Sequence, residues 1–193
     1  MEEHKIKSAW EIAQEKIARM PDLTSEELIK QKEREFEPIG EAIAKKYLGG
    51  GIRATELKTG LIKYRGAEGQ IVKQALISSL AQSIELGNDV RNKRAMEGFQ
   101  VFAGASIAFE EARNTFDSIN SEFEQEIQQR HKMFETLGKD KLQRLGISGS
   151  AIRPNVKGNE DWQHEENRIR QSFDMKVDRL RKDLVQLAQD AQL

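Results

Sequence analysis

The sequence predicts an all-α protein, in which a small N-terminal helical cluster packs on a long, antiparallel, coiled-coil-like helical hairpin. Apolar residues recur at steps of three and four along most of the 193 residues, which is the periodicity of helices with one buried face. Charged residues make up 33% of the chain, which favours long paired helices over a compact α/β domain. The two longest apolar stripes are separated by the loop 146–159, which exceeds the ~2 to 8 residues of an ordinary helix connection.

Composition and charge exclude several classes of function. The formal net charge is −1, from 31 basic and 32 acidic side chains, so no global charge attracts nucleic acid or an anionic membrane. The absence of cysteine excludes disulfides, thiolate nucleophiles and thiolate metal sites. No apolar run reaches the ~18 to 20 residues of a membrane span, and the N-terminus lacks the apolar core of a signal peptide. We therefore expect a cytoplasmic protein with no membrane span and no cofactor.

Residues 1–88 are expected to form the N-terminal helical cluster. Its first helix is indicated by apolar residues at helical spacing over 6–20, and Pro21 closes it. Further along, residues 55–64 predict a short helix between loops. A small β-hairpin about Thr59 and Gly60 is the competing interpretation of that segment.

The second and fourth helices of this cluster have clearer boundaries. A capping box of Thr24 and Glu27, in which each side chain binds the other's backbone N–H, begins the second helix. Pro38 predicts a kink or a break within it, and the glycines at 49–51 predict its end. A later apolar helix is expected over 71–86, stopped or bent near 87–88.

The strongest pattern in the chain is a heptad repeat of phenylalanine. The repeated residues are Phe102, Phe109, Phe116 and Phe123. Three residues beyond each of the first three lie Ala105, Ala112 and Ile119, so that the pattern has the a and d positions of a coiled coil. After a four-residue step, which is a stutter, the stripe continues to Leu145. We therefore expect one helix from near Val90 to Leu145.

A last apolar stripe predicts a helix that begins at the N-cap Asn159 and runs to Ala191. If the chain folds back symmetrically at the loop, Phe134 lies beside 169–173 and Phe123 lies beside 180–184. Apolar residues then meet apolar residues along both helices.

Residues 89–193 would then form the hairpin, with the tip loop 146–159, and would be continuous with the N-terminal cluster. A hairpin of two helices leaves helical faces uncovered. A homodimer, in which these faces meet those of a second copy, is therefore an open alternative.

The chain contains no complete catalytic or metal-binding pattern. Ser148 lies in a segment that only partly matches the G-x-S-x-G elbow, because Ser150 stands where the second glycine is needed. His131 and His164 each have a carboxylate one helical turn away, but a di-metal bundle needs two Glu-x-x-His pairs. We therefore expect no catalytic residue and no metal, and a metal-dependent helical enzyme is the least favoured alternative.

Two further features resemble ligand-binding motifs. The glycines at 49–51 precede Arg53, but no Lys-Ser or Lys-Thr follows as in a phosphate-binding loop. Residues 91–94 (RNKR) form a basic cluster, and nucleic-acid association through this cluster and the tip is the other alternative function. The neighbouring acids Asp89 and Glu97 favour a solvated helix face instead.

The loop 146–159 and the last turn before it carry the site that we predict. Between Asp140 and Glu160 there is no acidic residue, whereas four cations are present: Lys141, Arg144, Arg153 and Lys157. The apolar residues of the loop either fold down against Leu145 and Trp162 as the cap of an Ω-loop or are presented to an acidic partner, and the two interpretations are compatible. We assign partner contacts at the tip to Ile147, Ile152, Arg153, Val156 and Lys157.

Three segments resemble an uncharacterised bacterial family of helical proteins of about this length. They are KSAWEIAQEKI, LTSEELIKQKEREFEPIGEAIAKKYLGG and RLGISGSAIRPNV. The resemblance spans nearly the whole chain, but it implies no activity, ligand or site residue. The leading hypothesis therefore comes from the residues themselves: a non-catalytic interaction or scaffold protein that presents the tip to a protein partner.

Overall fold

The computed structural model describes residues 8, 10, 24–147, 149 and 152–190. This part of the chain is helical and contains no strand, which confirms the all-α class. Its helices are α1 (Ser25–Leu48), α2 (Ala54–Leu61), α3 (Gly66–Gln82), α4 (Asp89–Ala103), α5 (Ile107–Arg144) and α6 (Glu160–Asp190). The helix predicted over 6–20 lies outside the described residues, apart from Ser8 and Trp10, and Trp10 is exposed.

Helix α1 begins and ends as its sequence predicts. The Thr24 backbone N–H donates to Glu27 Oε2 at 2.8 Å, and the Glu27 backbone N–H donates to Thr24 Oγ1 at 3.3 Å. This capping box satisfies two backbone groups at the helix start. Gly49 ends the helix. Pro38 does not interrupt it, and because Pro38 is exposed, the carbonyl that loses its partner one turn earlier is on the solvated side.

Helices α2 and α3 complete the N-terminal part. The short helix predicted at 55–64 is present as α2, and the competing hairpin at Thr59 and Gly60 is wrong. Helix α3 starts five residues before the predicted Ile71 and ends at Gln82 rather than Leu86. A continuous hydrophobic core extends from Ala44 of α1 to Ala188 of α6. No described helix combines the length and the apolar character that a membrane crossing requires.

The helix predicted from Val90 to Leu145 is in fact two helices. Gly104 ends α4 with φ of +68°, a conformation that disfavours residues with a Cβ. Two residues later, Ser106 Oγ accepts a hydrogen bond from the Phe109 backbone N–H at 3.2 Å and begins α5. Phe102 and Phe109 are both buried across this break, whereas Ala105, which the heptad placed in the seam, is exposed.

Helices α5 and α6 are antiparallel, since residues later in α5 contact residues earlier in α6. The rings of Phe123 and Phe173 are 5.7 Å apart, and those of Phe134 and Trp162 are 5.5 Å apart. The predicted register, in which Phe123 lies beside 180–184, is therefore wrong by roughly two and a half helical turns. The symmetric turn assumed in that prediction does not occur, because the loop runs back along α5 before α6 begins.

Side chains hold the connection between α3 and α4, residues 83–88. Asn92 of α4 is only 2% exposed. Its side chain binds both the backbone N–H and the backbone carbonyl of Glu85. Its Oδ1 accepts the Glu85 backbone N–H at 2.8 Å, and its Nδ2 donates to the Glu85 carbonyl at 2.7 Å. The buried amide is thus satisfied by the backbone that it positions.

Side chains of α5 and α6 bind the same connection. Asn120 Oδ1 of α5 accepts the Gly87 backbone N–H at 3.1 Å. Two arginines of α6 donate to its carbonyls: Arg170 to Leu86 at 3.3 Å, and Arg181 to Ile84. These hydrogen bonds join the N-terminal helices to α5 and α6.

We expect Asn92→Ala to lower the free energy of unfolding by about 2 kcal/mol, because it removes a buried amide that makes two hydrogen bonds and leaves the Glu85 backbone N–H without its partner. Urea denaturation followed by circular dichroism measures the change. Asn114→Ala on the exposed side of α5 is the matched control and should change the stability by less than ~0.5 kcal/mol. Equal effects of the two substitutions would contradict the role given to Asn92.

Candidate interaction site at the helical tip

The tip consists of the end of α5 from Leu137 to Arg144 and the connection from Leu145 to Asn159, of which Ser148, Ser150 and Ala151 lie outside the described residues. Helix α5 ends there in a Schellman motif. Gly146 has φ of +77°, its N–H donates to the Gln143 carbonyl, and the Ile147 N–H donates to the Leu142 carbonyl, both at 3.0 Å. The motif stops the helix and leaves Leu145 75% exposed and Ile147 47% exposed.

The connection then folds back over the last turns of α5. Pro154 contacts the helix at Gly138, where a Cβ would lie only 2.6 Å from the Cβ of Pro154. Val156 is 6% exposed and therefore belongs to the interior of this fold-back. The site is thus a packed cap over α5.

Backbone and side-chain hydrogen bonds order the second half of the connection. The Asn159 N–H donates to the Val156 carbonyl at 3.0 Å, and the Gly158 N–H donates to Asn155 Oδ1 at 3.1 Å. Asn159 Oδ1 accepts the Asp161 N–H at 2.9 Å, which confirms Asn159 as the N-cap of α6. Local turns therefore define the path of the chain between Asn155 and α6.

Three aromatic side chains pack together where α6 begins beside α5. Trp162, in the first turn of α6, is buried and meets the ring of Phe134 at 5.5 Å and the ring of His131 at 5.2 Å, both edge to face. Such contacts add specific geometry to the apolar area that they bury. The cluster fixes where α6 begins beside α5.

The five predicted contact residues differ in their accessibility. Ile147, Arg153 and Lys157 are exposed, and Ile152 is half-buried. Val156 is buried, as the capping interpretation requires. The same interpretation placed Leu145 under the cap, whereas Leu145 is among the most exposed apolar side chains of the tip.

Sequence reasoning missed two apolar residues of the site, Leu145 and Leu137. Leu137 is 50% exposed, although it belongs to the stripe that was expected to face the last helix. In the observed register α6 begins beside Phe134, so Leu137 and Leu145 lie beyond its first turn. The apolar stripe itself was visible in the sequence, but the point at which its cover ends was not.

The tip is basic on its surface. The side chains of Lys141, Arg144 and Lys157 are exposed and form no ion pair with any other described residue. Arg153 lies near Glu135, whose pKa is lowered mainly by the hydrogen bond and charge of Lys139 and further by Arg153 and His131. Arg153 forms no ion pair with a described residue either, so all four cations could meet a partner without breaking such a pair.

The other candidate features from the sequence are the histidines, Ser148 and the glycines at 49–51. Within the described residues, no three His, Asp or Glu side chains are grouped closely enough to hold a metal ion. His131 packs on Trp162, His164 is exposed, and Ser148 lies outside the described residues. The glycines after α1 serve as its end.

The basic cluster 91–94 is largely used within the fold. Asn92 is buried, and Arg94 Nη1 donates to the carbonyls of Tyr47 and Leu48 at 3.0 and 3.2 Å. Tyr47 returns a hydrogen bond from its hydroxyl to the Arg94 carbonyl at 2.7 Å. Only Arg91 and Lys93 of this cluster are exposed to solvent.

Comparison of the chain with protein-family models, with curated proteins and with solved structures found no match. The geometry of the tip and of the helices around it is therefore the basis for the functional proposals below.

We expect Gly138→Ala to displace the loop from α5, because the added Cβ would overlap Pro154. Tryptic cleavage after Lys157 should become faster, and the fluorescence of Trp162 should become more accessible to acrylamide. Gly60→Ala in α2 is the matched control, since its Cβ would meet Ile43 at an ordinary 3.7 Å.

Alanine is better than glycine inside a helix by ~1 kcal/mol, so Gly60→Ala should stabilise the protein. If Gly138→Ala stabilises it equally and leaves the cleavage rate unchanged, the contact between Pro154 and Gly138 does not hold the loop.

Proposed function

We propose that this protein is a non-catalytic interaction protein, in which α5 and α6 form a long, antiparallel, coiled-coil-like hairpin that presents its tip to an acidic segment of a protein partner. The proposed hairpin lies within residues 89–193, and the described helices of residues 1–88, α1 to α3, belong to the cluster on which it rests. Contacts of α6 with α3, α4 and α5 support a single continuous unit.

The observation that carries this proposal is the combination of exposed apolar and exposed basic side chains at the tip. Leu137, Leu145 and Ile147 are each about half exposed or more. No acid lies between Asp140 and Glu160, while the four cations do. An apolar surface rimmed by one sign of charge is typical of a site that binds a complementary protein surface.

The two kinds of side chain would contribute differently to binding. Full burial of a leucine or isoleucine side chain contributes roughly 1.5 to 3 kcal/mol, so the apolar residues would supply most of the affinity. Exposed ion pairs contribute only ~0.2 to 1 kcal/mol each, but they orient the partner and discriminate against basic surfaces. The partner segment should therefore contain both acidic and apolar residues.

Arg153→Glu combined with Lys157→Glu should abolish capture of the partner, because it changes the charge of the tip by four units. The measurement is affinity capture from the native host with quantitative mass spectrometry, followed by amine-reactive cross-linking from the tip lysines to find the bound segment. A partner lost with the variant and cross-linked through an acidic segment supports the proposal.

Arg179→Glu combined with Lys182→Glu, on the exposed surface of α6, is the matched control and should capture the same partners as the wild type. Anionic vesicles and a labelled DNA duplex are offered in parallel. Capture that is unchanged by the tip variant, or binding of the tip to vesicles or DNA instead of protein, would overturn the proposal.

A further inference from the structure

The groove between α1 and α3 has the opposite charge to the tip. Glu33, Glu37 and Glu41 follow one another at steps of four along its α1 wall, and the α3 wall is neutral, with Gln74, Ser78 and Gln82 among its residues. The groove has a volume of about 270 Å³, and none of its lining residues is basic. It is an acidic groove between two helices that pack together.

An exposed apolar residue lies next to the acidic groove on α1. Ile29 lies one turn before Glu33 on the same face of α1 and is exposed. The tip presents the complementary set, since Leu145 and Ile147 lie beside Arg144 and Lys141. The tip therefore combines apolar residues with cations, and the groove combines an apolar residue with carboxylates.

We propose that the acidic partner of the tip is a second copy of this chain, whose groove between α1 and α3 receives the tip. This inference rests on the proposed function and names its partner. The favourable charge pairing of four cations with three carboxylates is what selects this surface, because opposite potentials on the two faces steer and orient association.

The contact must be made between molecules. Among the described helices, α1 contacts α2, α3 and α4 but neither α5 nor α6, and α5 contacts only α4 and α6. Helix α5, whose end forms one part of the tip, therefore contacts neither wall of the groove within one molecule. A reciprocal exchange of tips closes a dimer, whereas a one-way contact continues into a chain of molecules.

Sedimentation velocity over a range of protein concentrations, at low and high salt, tests the inference. The wild type should self-associate, and the association should weaken as salt rises because the paired charges are exposed. The tip variant, Arg153→Glu with Lys157→Glu, and the groove variant, Glu33→Lys with Glu37→Lys, should each weaken self-association by at least roughly tenfold.

The mixture of the two variants is the decisive measurement. A reversed tip and a reversed groove are again complementary, so the mixture should associate where each variant alone does not. Asp174→Lys with Asp183→Lys, on the exposed face of α6, makes the same change in charge as the groove variant and should associate like the wild type. Circular dichroism confirms that each variant is folded.

The inference is overturned if the wild type sediments as a monomer at all concentrations, or if the groove variant associates like the wild type. In that case, loss of captured partners with the tip variant alone would leave the proposed function standing with a different acidic partner. The proposed function itself fails when the tip variant changes neither self-association nor capture.

Discussion

The arrangement of the helices depends on how the polar backbone between α3 and α4 is satisfied. Residues 84–88 lie outside any helix, so their N–H and carbonyl groups need partners from elsewhere. Asn92, Asn120, Arg170 and Arg181 supply them from α4, α5 and α6. Each of these side chains binds a particular backbone atom. Together they therefore define the position of α6 against the N-terminal helices more narrowly than apolar contacts alone would.

Features that depend on neighbouring residues could be predicted from the sequence, and features that depend on distant residues could not. The capping box at Thr24 and the N-cap at Asn159 act within three residues, so their signals are complete in the sequence. The break at Gly104 was hidden because Phe102 and Phe109 keep heptad spacing across it and are both buried. A periodic pattern reports which residues are buried, and a short interruption that preserves the phase leaves that pattern intact.

The sequence predicted the composition of the candidate site, but it predicted the exposure of only some of its side chains. Its charge could be counted along the chain, and its surplus of cations is present on the surface. The exposure of Leu145 and the burial of Val156 depend on the path of the loop over α5. That path is set by the contact between Pro154 and Gly138 and by the position of Trp162. These contacts join residues far apart in sequence, and the loop alone does not specify them.

The length of the loop accounts for the exposed apolar surface of the tip. A connection of ~2 to 8 residues would let α6 begin opposite the last turn of α5 and cover the stripe that contains Leu137 and Leu145. The longer loop instead runs back along α5, and α6 begins beside Phe134. A glycine inside a helix costs ~0.5 to 1 kcal/mol relative to alanine, yet Gly138 is what allows Pro154 to lie against α5. The fold therefore gives up both helix stability and apolar burial at one end, as expected where the uncovered surface serves binding.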